Sequence, residues 1–321
     1  MTDQPVVPEH NDYLGEALHL LKLSGIFYCQ SELRAPWGIE MPPFDDCLMI
    51  HVVTAGHCWL TLADGEAPVH LPQGSLVMLP HGRGHCIAST VDGAATPLFD
   101  IPAQHISERY DIMQFGGDGE VCRAICCVAR FDHAAGQQLI RSLPSVMVIN
   151  SWEEAEGSWL QSTLRYMAYE AQQLSPGGET VMSHLTDILI IQVIRNWLRN
   201  SPQASTGWLA TLRDKQLGRA LAAMHRHPQQ DWTVERLAQL ASLSRSGFSA
   251  RFTELMGEPA MRYLTRWRMQ TARLQLENSA DSMMTVADRL GYRSEAAFSR
   301  AFKRVFGEAP GQVRKNRQRP A

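Results

Sequence analysis

A pattern typical of two short helices joined by a tight turn occurs at residues 282–307 and recurs 50 residues earlier in the chain. In the later copy, Gly291 is expected to end the first helix, because glycine tolerates a positive φ. Phe298, Phe302 and Phe306 then recur at intervals of four, which places them on one face of the second helix. A short helix with an apolar back and a cationic front, held by a tight turn to a partner helix, fits the major groove of DNA.

The earlier copy matches the later one at several positions along its length. Leu240 matches Leu290, and Ala241 matches Gly291. The further matching pairs are Phe248-Ser249 with Phe298-Ser299, Phe252 with Phe302, and Gly257-Glu258 with Gly307-Glu308. A single pattern of this kind also suits a generic helical bundle with phenylalanine in its core. The duplication favours two helix-turn-helix units.

This part of the chain resembles the DNA-binding domain of the AraC/XylS family of transcription regulators. The segments that carry the resemblance are W-T-V-E-R-L-A at 232–238, S-R-S-G-F-S-A-R-F at 244–252, Y-L-T-R-W-R-M at 263–269, and G-Y-R-S-E-A-A-F-S-R-A-F-K-R at 291–304. The resemblance implies an all-α, seven-helix domain at 206–321 with units at about 233–256 and 283–306, joined by a long central helix. It also implies activation through contact with RNA polymerase.

Charge divides the chain at nearly the same place. From Arg213 to the end there are 20 Lys and Arg against 10 Asp and Glu, a net charge of +10, and the preceding part holds 10 basic against 23 acidic residues, a net charge of −13. The basic part coincides with the repeat, so its charge indicates phosphate binding independently of the motif. The acidic part should be repelled by DNA, which suits a role in sensing and assembly.

Length and hydropathy bound the remaining possibilities. A chain of 321 residues with 45% hydrophobic residues predicts two or three domains with substantial cores. No segment has the pattern of a signal peptide, and no apolar run approaches 18 residues, so we expect a soluble cytoplasmic protein.

All seven cysteines lie between Cys29 and Cys127. An odd number in an intracellular chain argues against a disulfide framework.

Residues 1–135 are predicted to form an N-terminal antiparallel β-barrel, so the fold class is α+β with several domains. Strands are predicted at 48–54 and 57–62, paired through a turn at Ala55-Gly56, and another follows at 75–79. Residues 74–85, G-S-L-V-M-L-P-H-G-R-G-H, resemble the second sequence motif of the cupin barrels. The first cupin motif, with two histidines and a glutamate, has no counterpart at 42–49.

Five residues of this domain are candidates for a metal or redox site. A tetrahedral zinc site of two cysteines and two histidines would take Cys29, His51, His85 and either Cys126 or Cys127. Two alternatives stay open: the histidines are satisfied core residues, or the thiols serve as a redox switch.

Residues 136–205 are predicted to be a helical connector with helices at 158–174 and 181–200 and an edge segment at 146–150. The second helix contains I-L-I-I-Q-V-I, which is apolar nearly all round and needs cover on both sides. Packing on the barrel covers one side, and we expect a homodimer interface to cover the other.

Eleven residues of the two units are candidates for DNA contact. By the resemblance, the base-facing positions are Ser246, Ser249 and Ala250 in the first unit and Ala296, Ser299 and Arg300 in the second. Arg300 is the candidate for a bidentate guanine contact, whereas hydroxyls and a methyl group in the first unit should recognise bases weakly. The flanking candidates for phosphate contacts are Arg245, Arg251, Arg293, Lys303 and Arg304. The alternative for each flanking charge is that it is exposed to solvent and makes no contact with DNA.

Together these features predict a sequence-specific DNA-binding regulator, an activator whose cupin-like domain responds to a small molecule, a metal such as zinc, or a redox signal. A metal-dependent cupin enzyme with a DNA-binding appendage is the alternative, and the missing upstream histidines and glutamate argue against it. A constitutive DNA binder with a structural barrel is a third possibility. A ligand-dependent shift in DNA affinity separates it from the first.

Overall fold

The computed structural model describes residues 13, 15, 23–62, 66–131, 134–149, 154–173, 175–201 and 205–317. The chain divides into two compact units. We call the first the β unit, which comprises Lys22–Asp132 and Leu143–Asn200. The second, the helical unit, comprises Met1–Leu21, His133–Ser142 and Ser201–Ala321.

The described residues of the β unit form two sheets. Its strands are β1 (Leu23–Arg34), β2 (Gly38–Met41), β3 (Cys47–Ala55), β4 (His57–Leu62), β5 (Val69–Pro72), β6 (Leu76–Leu79), β7 (His85–Ala88), β8 (Thr96–Pro97), β9 (Ala103–Ser107), β10 (Tyr110–Gly116), β11 (Val121–Phe131) and β12 (Met147–Ile149). A seven-stranded sheet has the order β12-β6-β3-β11-β1-β10-β9, and a five-stranded sheet has the order β5-β4-β7-β2-β8. The pairs β1–β10 and β2–β8 are parallel and the other pairs are antiparallel. The predicted β-rich N-terminal domain is confirmed, and β12 is an edge strand as expected.

The predicted pairing of β3 with β4 is wrong. Both strands exist, but β3 is hydrogen-bonded to β6 and β11, whereas β4 lies in the other sheet between β5 and β7. With both edges of β3 occupied, no edge is free for β4. Gly56 lets the chain cross between the sheets with a φ of +71°. A Cβ at Gly56 would lie 2.3 Å from the carbonyl oxygen of Val121, so only glycine fits there.

Apolar side chains from the two sheets form the core of the β unit. Leu33, Met49, Leu71, Val77 and Leu79 are all fully buried members of one cluster. The helices that follow in the chain are α1 (Ala134–Arg141), α2 (Glu154–Gln173) and α3 (Gly178–Asn200), of which α1 belongs to the helical unit. The α3 helix buries Leu189, Ile190, Val193 and Ile194 against the rest of the β unit.

The described residues of the helical unit after Ser201 form eight helices, one more than the resemblance implies. They are α4 (Gly207–Arg213), α5 (Leu217–Arg226), α6 (Val234–Leu240), α7 (Arg245–Met256), α8 (Ala260–Asn278), α9 (Met283–Arg289), α10 (Glu295–Phe306) and α11 (Pro310–Arg317). The helix pairs α6–α7 and α9–α10 are the two helix-turn-helix units, and α8 is the long helix between them. The residue that precedes each of these four helices accepts a hydrogen bond from the helix with its side chain; these residues are Thr233, Ser244, Ser282 and Ser294. Gly257 and Gly307 end α7 and α10 in the left-handed conformation.

The two units differ by one residue in the turn. Val234 and Met283, which begin α6 and α9, are 49 residues apart, whereas Arg245 and Glu295, which begin α7 and α10, are 50 apart. The second turn is therefore one residue longer, and equivalent positions before it are offset by 49 rather than 50.

The predicted matches of Leu240 with Leu290 and of Ala241 with Gly291 are consequently wrong. Leu240 is 40% exposed, whereas Leu290 is buried like Ala241. Ser242 and Gly291 are the structurally equivalent pair, because each has a positive φ, +54° and +80° respectively. A residue in the left-handed conformation thus occupies the same place in both turns, but it is a glycine only in the second turn.

Candidate DNA-binding surface and sensory cavity

The predicted base-facing residues lie on the outer faces of α7 and α10. Phe248 and Phe252 are fully buried under α7, and Phe298 and Phe302 are fully buried under α10. The residues on the opposite side are exposed, apart from the half-buried Ser299; they are Ser246, Ser249, Ala250, Ala296 and Arg300. The apolar stripe of each helix thus holds these positions outward.

The outer face of α10 carries uncompensated positive charge. Arg300 and Lys303 are exposed, and neither has an ion-pair or hydrogen-bond partner for its side chain among the residues that the structure describes. Arg304 is also exposed and lies at the same end of the helix. Side chains without internal partners can reorient toward an anionic ligand without first breaking an existing bond.

Two flanking arginines form exposed ion pairs within the helical unit. Arg245 Nε lies 2.8 Å from Glu235 Oε1, and Arg293 Nη2 lies 3.4 Å from Asp231 Oδ2. Surface pairs of this kind contribute little stability and are screened by salt, so phosphate can replace the carboxylate. Both arginines remain candidates for phosphate contacts.

Arg251 has internal partners instead. Its guanidinium forms a short ion pair with Asp214 and donates from Nη1 to Gln216 Oε1 at 2.6 Å. Asp214 Oδ1 also accepts from the backbone N–H groups of Gln216 and Leu217, at 2.9 Å each. Arg251 thus connects α7 to the start of α5, and its contact with DNA stays a prediction. Sequence analysis missed Asp214 because no local motif links it to a residue 37 positions away.

The β unit brings four of the five predicted metal or redox residues together. The register pairs Cys126 with His51 on β3 and with Cys29 on β1, so the three lie in one row across the sheet. His85, at the start of β7, reaches this row from the other sheet. Cys127 lies on the opposite face of β11, where burial raises its pKa to about 12.

His51 is the middle member of a chain of hydrogen bonds. Its Nδ1 is 2.9 Å from Cys126 Sγ, and its Nε2 is 2.7 Å from His85 Nε2. His85 Nδ1 is 2.9 Å from the carbonyl oxygen of Arg83, which can only accept, so Nδ1 carries the proton. His51 Nε2 then donates to His85, and the Cys126 thiol donates to His51 Nδ1.

Burial keeps these groups neutral. It lowers the pKa of His51 well below its ordinary value, with the neighbouring His85 adding to the effect, and it also lowers the pKa of His85. Burial raises the pKa of Cys126 well above its ordinary value and raises that of Cys29. At neutral pH the chain therefore consists of thiols and neutral imidazoles, in agreement with its hydrogen-bond polarity.

This geometry does not fit the predicted zinc site. Tetrahedral zinc needs four donor atoms that converge on one point. Here the two nitrogens of His51 point to Cys126 and to His85 in opposite directions, so these two side chains lie on opposite sides of one ring. Among the described residues, no group of three or more His, Cys, Asp or Glu side chains is arranged to hold a metal ion.

A largely apolar cavity of about 420 Å³ lies beside this row of side chains. Most of its lining is hydrophobic, including Phe27, Ile39, Phe44, Phe99 and Met113. The lining residues that carry a thiol or an oxygen on the side chain are Cys29, Ser31, Asp111 and Cys126. A volume in the usual range of ligand pockets with few polar groups suits a small, mainly apolar molecule.

One further finding concerns the helices. Within the described part of the chain, none of them combines the length and the hydrophobicity needed to cross a membrane.

Comparison with known proteins gives two family matches. A cupin family model matches residues 12–199, and a helix-turn-helix domain model matches residues 237–316. The chain is 30% identical to the HTH-type transcriptional regulator AlkR of Acinetobacter baylyi, over 94% of this chain and 99% of that protein. It is 31% identical to a putative AraC-like transcription regulator of Streptomyces antibioticus, over 95% of this chain and 99% of that protein. Among solved structures, the DNA-binding domain of AdpA in complex with a target DNA is 33% identical, covers 32% of this chain and 93% of that chain, and has a TM-score of 0.31.

Proposed function

Because the chain belongs to the AraC-type family of DNA-binding transcription regulators with an N-terminal cupin domain, we propose that it is a cytoplasmic activator, and not an enzyme, that responds to a small molecule. As an activator it would contact RNA polymerase while bound to double-stranded DNA. The outer face of α10 supports DNA recognition most directly, since Arg300 and Lys303 are exposed and unpaired among the described residues. They lie opposite the buried Phe298 and Phe302, which hold that face outward.

The cavity beside Cys29 and Cys126 is the proposed sensory site. Its lining is mainly apolar, and Asp111, the one charged residue in the described lining, already accepts a hydrogen bond from His105 at 2.6 Å. A neutral apolar molecule would replace water there at no cost in unpaired charge. Oxidation of the two thiols is the alternative signal at the same place.

A ligand that enters this cavity should change the affinity of the full chain for DNA. We expect compounds found by thermal-shift screening of small apolar molecules to shift DNA affinity, and Ala103→Trp to remove that shift. Ala103 lines the cavity but is itself exposed, so a larger side chain there narrows the cavity without displacing the core. Gln104→Trp on the same exposed strand is the matched control and should respond like the wild type. DNA affinity that no ligand changes would indicate a constitutive binder.

We also propose that the protein is a homodimer through α3. The side of α3 opposite its buried residues carries Ile188, which is 40% exposed, and the half-buried Ile191. Ile191→Glu should shift the full chain from dimer to monomer in sedimentation velocity at micromolar concentration, because an unpaired charge is costly inside an apolar interface. Gln173→Glu, on the exposed face of α2, is the charge-matched control and should sediment like the wild type. A wild-type chain that sediments as a monomer would rule out this interface.

A further inference from the structure

A second cavity of the β unit is enclosed by aromatic and acidic side chains. It has a volume of about 240 Å³, and its lining shares no residue with the cavity beside Cys29. Neighbouring residues of β1 point to opposite faces, which separates Tyr28 from Phe27 and Cys29. The lining residues that matter here are Tyr28, Ser107, Tyr110, Glu170, Glu179 and Met182.

Glu170 is a mostly buried residue whose carboxylate has no hydrogen-bond donor among the described residues. Glu170 is only 8% exposed, and no described residue donates a hydrogen bond to its side chain. A Cβ at Gly178 would lie 3.0 Å from Glu170 Oε1, so the carboxylate lies against the first turn of α3. The carboxylate also lines the cavity, so a bound cation with N–H groups could donate to it the hydrogen bonds that no described residue provides.

Glu179 adds a second carboxylate at the exposed side of the same cavity. Its Oε1 accepts a short hydrogen bond from Ser107 Oγ, another lining residue. The described lining contains no Lys, Arg or His to balance these two groups. The cavity therefore combines a negative potential with a protected interior.

The two tyrosines supply aromatic walls rather than free hydroxyls. The Tyr28 hydroxyl donates to Ser183 Oγ at 3.0 Å, and the Tyr110 hydroxyl donates to Gln30 Oε1 at 2.8 Å. Burial raises the pKa of Tyr110 to about 12 and raises that of Tyr28 further, so both phenols stay neutral. Neutral aromatic rings attract organic cations through their π electrons, and an alkyl stem packs well against them.

We propose that this cavity binds a small primary amine in its ammonium form. The three N–H groups of an ammonium match the carboxylates of Glu170 and Glu179, and the alkyl stem packs against Tyr28, Tyr110 and Met182. A quaternary ammonium carries the charge but has no N–H group, so it leaves Glu170 without a donor. The volume lies below the range of roughly 300–1,000 Å³ of drug-sized ligand pockets, which limits the ligand to a few carbon atoms.

Calorimetric titration of the full chain with butylammonium chloride at neutral pH tests this site. We expect saturable binding of one ammonium per chain, much weaker binding of tetramethylammonium chloride, and none of the uncharged butan-1-ol. Glu170→Gln keeps the shape of the side chain and removes its charge, and should weaken butylammonium binding by about tenfold or more. Glu66→Gln, at an exposed position of the same unit, is the matched control and should bind like the wild type.

Thermal unfolding of the same variants separates binding from folding. Glu170→Gln should unfold close to the wild-type temperature, because no described residue donates a hydrogen bond to the carboxylate that it replaces. It should also lose the stabilisation that butylammonium gives the wild type. Equal affinity of wild type and Glu170→Gln for butylammonium, equal binding of butan-1-ol, or no binding at all would overturn the proposal.

Discussion

Replacing Arg300 by alanine is expected to weaken binding to the preferred DNA site by about 1–3 kcal/mol, with the loss concentrated at one base pair. Arg300 is exposed on α10, has no partner among the described side chains, and lies among the residues that face away from Phe298 and Phe302. A guanidinium in this position can donate two parallel hydrogen bonds to guanine, so we expect the affected pair to be G·C.

Lys303→Ala is the matched comparison, because Lys303 is exposed on the same helix and is also unpaired among the described residues. As a phosphate contact it should weaken all DNA sequences alike and lower the slope of log affinity against log salt by about one. The measurement is the affinity of both variants for a set of single-base changes in a site obtained by selection from random duplexes. A uniform loss for Arg300→Ala across that set would make Arg300 a phosphate contact and contradict the assignment.

The selected site itself should contain two short blocks of preferred bases. The recognition helices α7 and α10 are joined by the single helix α8, so we expect them to enter successive major-groove faces about 34 Å, or roughly 10 bp, apart. The block that contacts α10 should be strict because of Arg300. The block that contacts α7 should be permissive, because Ser246, Ser249 and Ala250 offer only hydroxyl and methyl contacts.

The helix-turn-helix units were predictable in detail because their signals are local. A capping side chain, an apolar residue every fourth position and a final glycine act within one or two turns of helix, and the structure contains all three in both units. The turn was the exception. An alignment by residue type paired Gly291 with Ala241, whereas backbone conformation pairs Gly291 with Ser242, which adopts a positive φ without being glycine.

The β unit was less predictable because strand pairing joins distant parts of the chain. The strands β3 and β4 are neighbours in sequence, yet the edges of β3 are occupied by β6 and β11. For the same reason, the candidates Cys29, His51, His85 and Cys126 could be selected by residue type, while their order could not. That order decides whether the four side chains can bind one metal ion. His51 lies between Cys126 and His85 and forms a hydrogen bond to each of them with a different ring nitrogen.

Two residues show where residue type alone is insufficient. Arg251 flanks a recognition helix as a phosphate ligand would, but its ion pair with Asp214 depends on a contact that sequence spacing does not reveal. Glu170 lies in a helix among other polar residues and carries no motif. It is a candidate ligand-binding group because it lines a cavity, is mostly buried, and has no donor among the described residues.

Replacing Phe302 by alanine is expected to cost about 3–5 kcal/mol and to unfold the second helix-turn-helix unit while the first stays folded. Phe302 is fully buried, with its ring centroid 5.9 Å from that of Phe298 and 4.7 Å from that of Phe306. Its core cluster draws Met269 and Leu276 from the C-terminal half of α8, and none of its members comes from α6 or α7. The loss should therefore stay within one half of the helical unit.

Hydrogen exchange of the full chain, followed by mass spectrometry, measures this directly. Phe302→Ala should remove protection from amides of α9 and α10 and leave those of α6 and α7 protected, because local unfolding follows the packing of each cluster. Phe252→Ala is the matched variant in the first unit and should give the reverse pattern. Phe252 is also fully buried, and its ring centroid lies 5.5 Å from that of Phe248. If either variant instead exposes both units equally, then α8 couples them into a single cooperative domain, and the two recognition helices cannot gain or lose their DNA contacts independently.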